Sequence, residues 1–271
     1  MTVYLIIAFL LLAAVFLIYG FKTAPWRLRV KNYKLDPDKT LGSFAGKRIV
    51  FFSDIHLGPN FTADQLNELC RLILRQEPQL ILFGGDMLEE KTDLSSESFK
   101  ADIIKELRVL SDFCPCFAVH GNHDVETLIN RRYTTEVLEA SGFTLLQNSW
   151  ADIGDLALYG FESATHDQPL YIDKDNLNED SFRLLLCHEP DYAGKNKPVL
   201  GNSLYLSGHS HGGQVTFFGL PLILPHLGRR YVRGLHQLHN KSQLLISNGV
   251  GTVHIHARFC ARPDILVLDF P

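Results

Sequence analysis

Arg48-Ile49-Val50-Phe51-Phe52-Ser53-Asp54-Ile55-His56 decides how the rest of the chain is read. Residues 48–52 form an apolar, β-branched run, the pattern of a strand buried in a mostly parallel sheet. The run stops in an Asp and a His one residue apart, both able to bind metal. A carboxylate at the carboxyl end of a strand sits where open α/β sheets bind ligands. Asp-x-His by itself is a common triplet. Its weight depends on what ends the later apolar runs.

Downstream, Thr62 and Gln65 make a capping box, and Leu66, Leu69, Cys70 and Ile73 recur at helical spacing until Pro78. Gln79–Phe83 reads as the next strand and ends in Gly84-Gly85-Asp86. The spacing of Ile103, Ile104, Leu107 and Leu110 predicts a helix over Ala101–Phe113. Cys116–Val119 is a third strand, ending in His120-Gly121-Asn122-His123-Asp124. This β-α-β-α-β order implies right-handed crossovers and a parallel sheet. Five further short apolar runs read as strands: Leu156–Tyr159, Phe182–Leu186, Ser203–Leu206, Gln243–Ile246 and Ile265–Leu268. The polar stretch 163–181 reads as a surface loop, and the sequence shows no internal repeat.

Upstream, residues 3–21 carry no charge over about the length that a helix needs to cross a bilayer. A cleaved signal peptide is the rival reading. It wants a basic start, a shorter apolar core and a small-x-small cleavage site, and these are missing. Lys22, Arg27, Arg29, Lys31 and Lys34 follow, which by the positive-inside rule sets the C-terminal side in the cytoplasm. Tyr19 and Trp26 suit a membrane interface, and the alternation over Arg27–Lys31 suggests an edge strand. The expected organisation is an anchor at 1–22, a basic juxtamembrane segment with a lead-in strand at 23–46, and one domain at 47–271.

A chain of 271 residues, 46% hydrophobic and 21% charged, can bury a sizeable core. Its net charge of −4 argues against a nucleic-acid partner. Five cysteines in no regular spacing argue against a disulfide framework and for a reducing compartment.

Five strand ends carry metal-capable groups: Asp54 and His56; Asp86; Asn122 and His123; His188; and His209 and His211 in Gly208-His209-Ser210-His211. Gly85, Gly121 and Gly208 stand beside three of them and allow tight turns. Carboxylate, imidazole and amide oxygen suit Mn, Fe, Zn or Co, and so many ligands suit two ions better than one. In this order the residues resemble the calcineurin-like metallophosphoesterases, from about residue 47 to the C-terminus. The resemblance implies a four-layer α/β/β/α sandwich with a dinuclear site at the strand ends. Asp54, His56 and His211 would hold one divalent ion, Asn122, His188 and His209 the other, and Asp86 would bridge. His123 would face the substrate, oriented by Asp124, while water activated by the metals attacks phosphorus in line.

Gly208–Gln214, Tyr231–Leu235, Asn248–Thr252, Arg258 and Arg262–Ile265 resemble more closely the membrane-associated bacterial YkuE/YaeI-like phosphodiesterases. That subgroup implies a phosphodiester or pyrophosphate substrate, with the UDP-linked diacylglucosamine of lipid A synthesis as the specific candidate. Arg229, Arg230, Arg233 and Arg258 are the candidate substrate-binding cations. His254-Ile255-His256 departs from the subgroup where a proline-containing turn is expected. Rival readings are a general phosphodiesterase, a phosphoprotein phosphatase and a non-catalytic scaffold of the same fold. No protein partner is implied. The apolar stretch Val215–Gly228 is broken by Gly219, Pro221 and Pro225. It is either a core loop followed by solvated arginines or a lobe that dips into the bilayer.

Overall fold

Alternation along the strands sorts the apolar side chains onto the two faces of each of two sheets. The computed structural model describes residues 1–35, 44–174, 182–193, 195, 202–239 and 242–270. Helix α1 (Thr2–Ile18) passes through a π-helical turn, Tyr19–Thr23, and a 3-10 turn, Ala24–Trp26, into strand β1 (Arg29–Lys34). Next come β2 (Arg48–Phe52), α2 (Ala63–Leu74), β3 (Leu80–Phe83), α3 (Glu97–Ser111) and β4 (Cys116–Ala118). A single turn α4 (Asn122–Val125), helix α5 (Leu128–Ala140) and β5 (Thr144–Leu145) follow. The second half holds β6 (Ser149–Ile153), β7 (Leu156–Gly160), β8 (Arg183–Leu186), one turn α6 (Pro190–Ala193) and β9 (Ser203–Ser207). It ends with a small hairpin, β10 (Thr216–Phe217) and β11 (Leu220–Pro221), then β12 (Gly234–Gln237), β13 (Gln243–Ile246) and β14 (Asp264–Asp269).

One sheet runs β1-β14-β2-β3-β4-β5 and the other β12-β13-β9-β8-β7-β6. Strands β2 to β5 are parallel, as their crossover helices require. The C-terminal β14 returns antiparallel to β2 and pairs with β1 in parallel, so the basic lead-in strand is an edge strand. Ile49, Phe51, Leu82 and Leu266 face Leu158, Leu184 and Leu206 of the second sheet. Their neighbours Val50, Phe52, Ile81 and Val267 face the other way, under the apolar stripes of α2, α3 and α5. The outer face of the second sheet is aromatic. Tyr159, Phe161 and Tyr205 are covered by Tyr171, Tyr192 and the short α6. The architecture is the α/β/β/α sandwich, with a thin fourth layer.

Helix α3 begins four residues before the expected Ala101, because the Ser96 hydroxyl accepts the Phe99 N–H and caps it. The capping box at Thr62 and Gln65 forms as the sequence predicts. Helix α1 is apolar on every side and almost wholly exposed, a candidate membrane span by length and composition. Residues 36–43 of the lead-in segment and 175–181 of the polar loop lie outside the described residues.

Candidate metal centre

Parallel strands end on one edge of a sheet, so the loops after β2, β3 and β4 meet there, joined by those after β8 and β9 of the facing sheet. The loops are stitched together by their backbones. Asp54 N–H donates to the Gly85 carbonyl at 2.8 Å, and Gly208 N–H to that of His188 at 3.1 Å. Asp54, His56, Asp86, His209 and His211 all have left-handed φ, between 49° and 66°. Asp and His tolerate this region better than most residues, yet it stores strain that surrounding structure must hold. Close approach demands glycine: a Cβ on Gly121 would lie 2.2 Å from Asp86 Oδ1, and one on Gly208 2.2 Å from Asp54 Oδ2.

The result is a buried meeting of acceptor atoms. His56 Nε2 lies 3.0 Å from His211 Nε2, and His211 Nε2 lies 3.5 Å from Asp54 Oδ1. Asp86 Oδ2 lies 3.7 Å from His56 Nε2 and 3.1 Å from His188 Nε2. Asn122 Oδ1 lies 2.7 Å from His209 Nδ1. Three of the rings spend their other nitrogen on a backbone carbonyl. His56 Nδ1 faces that of Leu88 at 3.2 Å, His188 Nδ1 that of Gly84 at 2.7 Å, and His209 Nε2 that of His226 at 2.6 Å. Such bonds fix how each ring is turned, with its other nitrogen inward, which is how metal-binding imidazoles are oriented; on the neutral His56 and His209 that inward nitrogen carries a lone pair. His188 Nε2 is buried without a well-formed hydrogen bond among the described residues. Three groups here place their ligand atoms close enough to share an ion: Asp54, His56 and His211; His56, Asp86 and His123; and Asp86, His188 and His209.

The charges point the same way. Burial pushes the Asp54 carboxyl up to about 6. Burial also opposes charge on Asp86, but the imidazoles of His188, His123 and His56 outweigh it and hold that carboxyl well below its ordinary value. Burial lowers His56 to about 3 and depresses His209 and His211, so these rings are neutral, the form that binds metal. Burial works against charge on His188 too, yet Asp86 and Asp54 keep it protonated. The donor set of carboxylates, an amide oxygen and imidazoles with buried, inward-facing nitrogens fits divalent cations.

His123 lies at the rim, its side chain 18% exposed, edge-on to His56 with ring centroids 5.2 Å apart. Its backbone N–H donates to Asp86 Oδ1 at 2.9 Å. The expected orienting contact from Asp124 is not there, because consecutive residues on α4 point apart. The Asp124 carboxylate instead accepts the N–H groups of Asp86, Met87 and Gly121 at 2.8–2.9 Å, tying two ligand loops together. Arg258 is also placed differently from the sequence reading. It is fully buried, and its guanidinium donates to backbone carbonyls behind His211 rather than facing a substrate. Arg233 donates to the Gly219 carbonyl, while Arg229 and Arg230 are exposed next to the His226–Gly228 wall of the centre. His254 is exposed and held at φ 57°, 6.5 Å from the His123 ring, because the Gln214 amide clamps the backbone of Val253 and Ile255 on either side. His256 turns away and packs on Trp26 at 5.0 Å. The backbone carbonyls that aim the rings, and the Gln214 clamp, carry no sequence signal.

A family model described as calcineurin-like phosphoesterase matches residues 47–213. The chain is 31% identical over 233 residues to the uncharacterized metallophosphoesterase YkuE of Bacillus subtilis, covering 83% of this chain and 79% of the relative. It is 30% identical over 234 residues to the phosphodiesterase YaeI of Escherichia coli, covering 82% and 81%. It is also 26% identical over 275 residues to a transmembrane protein with metallophosphoesterase domain from Danio rerio, covering 94% of this chain and 60% of that one. The chain therefore belongs to the calcineurin-like phosphoesterase family and is a metal-dependent phosphoester hydrolase.

Proposed function

We propose that the chain hydrolyses a phosphodiester or pyrophosphate at a membrane surface, using two divalent cations that share Asp86. Asp54, His56 and His211 would hold one cation, and Asn122, His188 and His209 the other. The observation that supports this is the position of Asp86 Oδ2, within 3.7 Å of His56 Nε2 and 3.1 Å of His188 Nε2, between the two groups. Bound cations, of the Mn, Fe, Zn or Co kind, would supply Lewis acidity toward a phosphoryl oxygen and acidify a water.

The chain's own residues do the rest. His123 is placed to protonate the leaving oxygen or to donate to a non-bridging one. His254, exposed and 6.5 Å from the His123 ring, would be a second donor to the substrate. Asp124 fixes the loops that carry Asp86 and Asn122. Exposed Arg229 and Arg230 suit the diphosphate of a lipid-linked substrate. Residues 1–22 would anchor the catalytic domain 47–271 through the basic segment 23–46, on the cytoplasmic side. A UDP-linked diacylglucosamine is the specific substrate candidate, and a general phosphodiesterase is the alternative. The test is a panel on purified, Mn-loaded protein: bis-aryl phosphodiesters, aryl monoesters, cyclic nucleotides and a UDP-linked diacylglucosamine. Preferential turnover of the lipid pyrophosphate supports the specific reading. Turnover of small diesters alone favours the general one, and a monoester preference overturns both.

A further inference from the structure

The segment after His211 is neither core nor ordinary loop. Strands β10 and β11 make a hairpin whose two tip residues, Phe218 and Gly219, have φ of 47° and 88°. Turns of this kind favour Asn or Asp first, because a bulky side chain resists left-handed φ. Here the strained residue is a phenylalanine that is 88% exposed, beside Phe217 at 64%, Leu220 at 70%, Leu222 at 64% and Ile223 at 80%. An apolar cluster of this kind in water marks an interaction surface.

The hairpin is held in place and tied to helix α1. Arg233 Nη2 donates to the Gly219 carbonyl at 2.6 Å, and Leu222 N–H donates to that of Val215 at 3.1 Å. At the root, the N–H and hydroxyl of Thr216 both donate to the Phe259 carbonyl, at 3.1 and 2.8 Å. The Phe259 ring lies 4.9 Å from Phe16 and 5.7 Å from Phe21. It fills the space left by Gly20, where a Cβ would sit 2.0 Å from the ring. Arg258 N–H closes the joint by donating to the Gly20 carbonyl at 2.9 Å. The hairpin root is thus at the level of the last turns of α1, and its tip is two extended residues, about 7 Å, further on.

We propose that the β10–β11 hairpin, with Leu222 and Ile223, inserts into the headgroup and upper acyl region of the same bilayer that α1 crosses. This rests on reading α1 as a span. It deepens the proposed function, because only Gly212–Val215 separate the hairpin from His211, so an inserted hairpin would hold the metal centre close to the lipid surface. The occupant is a bilayer, because the joint at Phe259 locks the lobe to a helix whose apolar surface is otherwise almost wholly uncovered. Arg229 and Arg230, exposed just beyond the lobe, suit the phosphates of lipid headgroups.

The experiment places a single tryptophan in the full chain, in a Trp26→Phe/Trp150→Phe background, reconstituted into vesicles of phosphatidylethanolamine and phosphatidylglycerol. Phe218→Trp and Ile223→Trp report on the lobe, and Leu10→Trp reports on α1. The proposal expects all three to lose most of their emission when the acyl chains are brominated, the lobe positions most strongly with bromines near the headgroup. If Leu10→Trp is quenched while both lobe reporters are not, the lobe is in water or covered by protein, and the proposal is overturned with the span intact. If none is quenched, α1 does not span and the proposal falls with its premise. Either failure leaves the hydrolysis reading standing, since turnover of a small soluble diester is measured separately on the same variants.

Discussion

Arg258→Met separates a buried scaffold from a substrate clamp. Arg258 Nη1 donates to the carbonyls of His211, Asn248 and Ala261 at 3.1, 2.7 and 3.1 Å, and Nη2 to that of Gly249 at 3.1 Å and to that of Gly251. The His211 and Gly249 carbonyls have second donors, the N–H groups of Gln214 and Asp264. Those of Asn248, Ala261 and Gly251 depend on Arg258 among the described residues. Each buried carbonyl left unpaired costs about 1–3 kcal/mol, and relief of burying the charge offsets part of the sum. A net loss of about 3–5 kcal/mol lowers the melting temperature by roughly 10 °C in a protein of this size. Because Gly251 N–H donates to the Asp54 carbonyl at 2.7 Å, the slackened loop also loosens a metal ligand. Thermal denaturation, metal content and steady-state kinetics on a small diester check this. We expect a lower melting temperature, weaker metal retention and a fall in kcat larger than any rise in KM. Unchanged melting and metal content with a raised KM would refute the reasoning and return Arg258 to substrate binding.

Asp86→Asn should abolish turnover and weaken binding at both halves of the centre, read by elemental analysis; full occupancy with parent turnover would remove the shared-ligand role. His123→Ala should keep its metals and lose about 10²–10⁴ in rate, the usual range for a general acid; loss of a metal instead would make it a ligand. Protons compete with metal for Asp54, whose carboxyl is pushed up to about 6 by burial, and for His188, which must shed its proton. Metal affinity should therefore fall as pH drops, with Asp54 contributing up to about tenfold per unit below 6. The stabilisation given by Mn should shrink from pH 7.5 to 5; a pH-independent thermal shift would contradict carboxylate ligation at Asp54.

The sheet and its ligand-bearing strand ends were legible because each candidate follows an unbroken apolar run, as at Phe52, Phe83 and Leu186. Parallel pairing then puts those ends on one edge without further information. Helix α5 has a weaker sequence signal, because Leu128 and Ile129 at its start are exposed and lie off the buried stripe of Tyr133, Val137 and Leu138. Asp124 and Arg258 look in sequence like substrate or relay groups. Their partners are backbone N–H and carbonyl groups from distant loops, and no residue pattern records those. The lobe after His211 was ambiguous for the opposite reason. Its composition fits core and membrane equally, and the exposure of Phe218 and Ile223 removes only the core reading.

The measurement that bears most directly on the shared-cation account is anomalous scattering from crystals of the full chain grown with Mn. The account predicts two peaks roughly 3.5–4 Å apart, flanking the Asp86 carboxylate, one beside Asp54, His56 and His211 and the other beside Asn122, His188 and His209. A single peak, or two peaks with Asp86 outside the coordination of either, would contradict it.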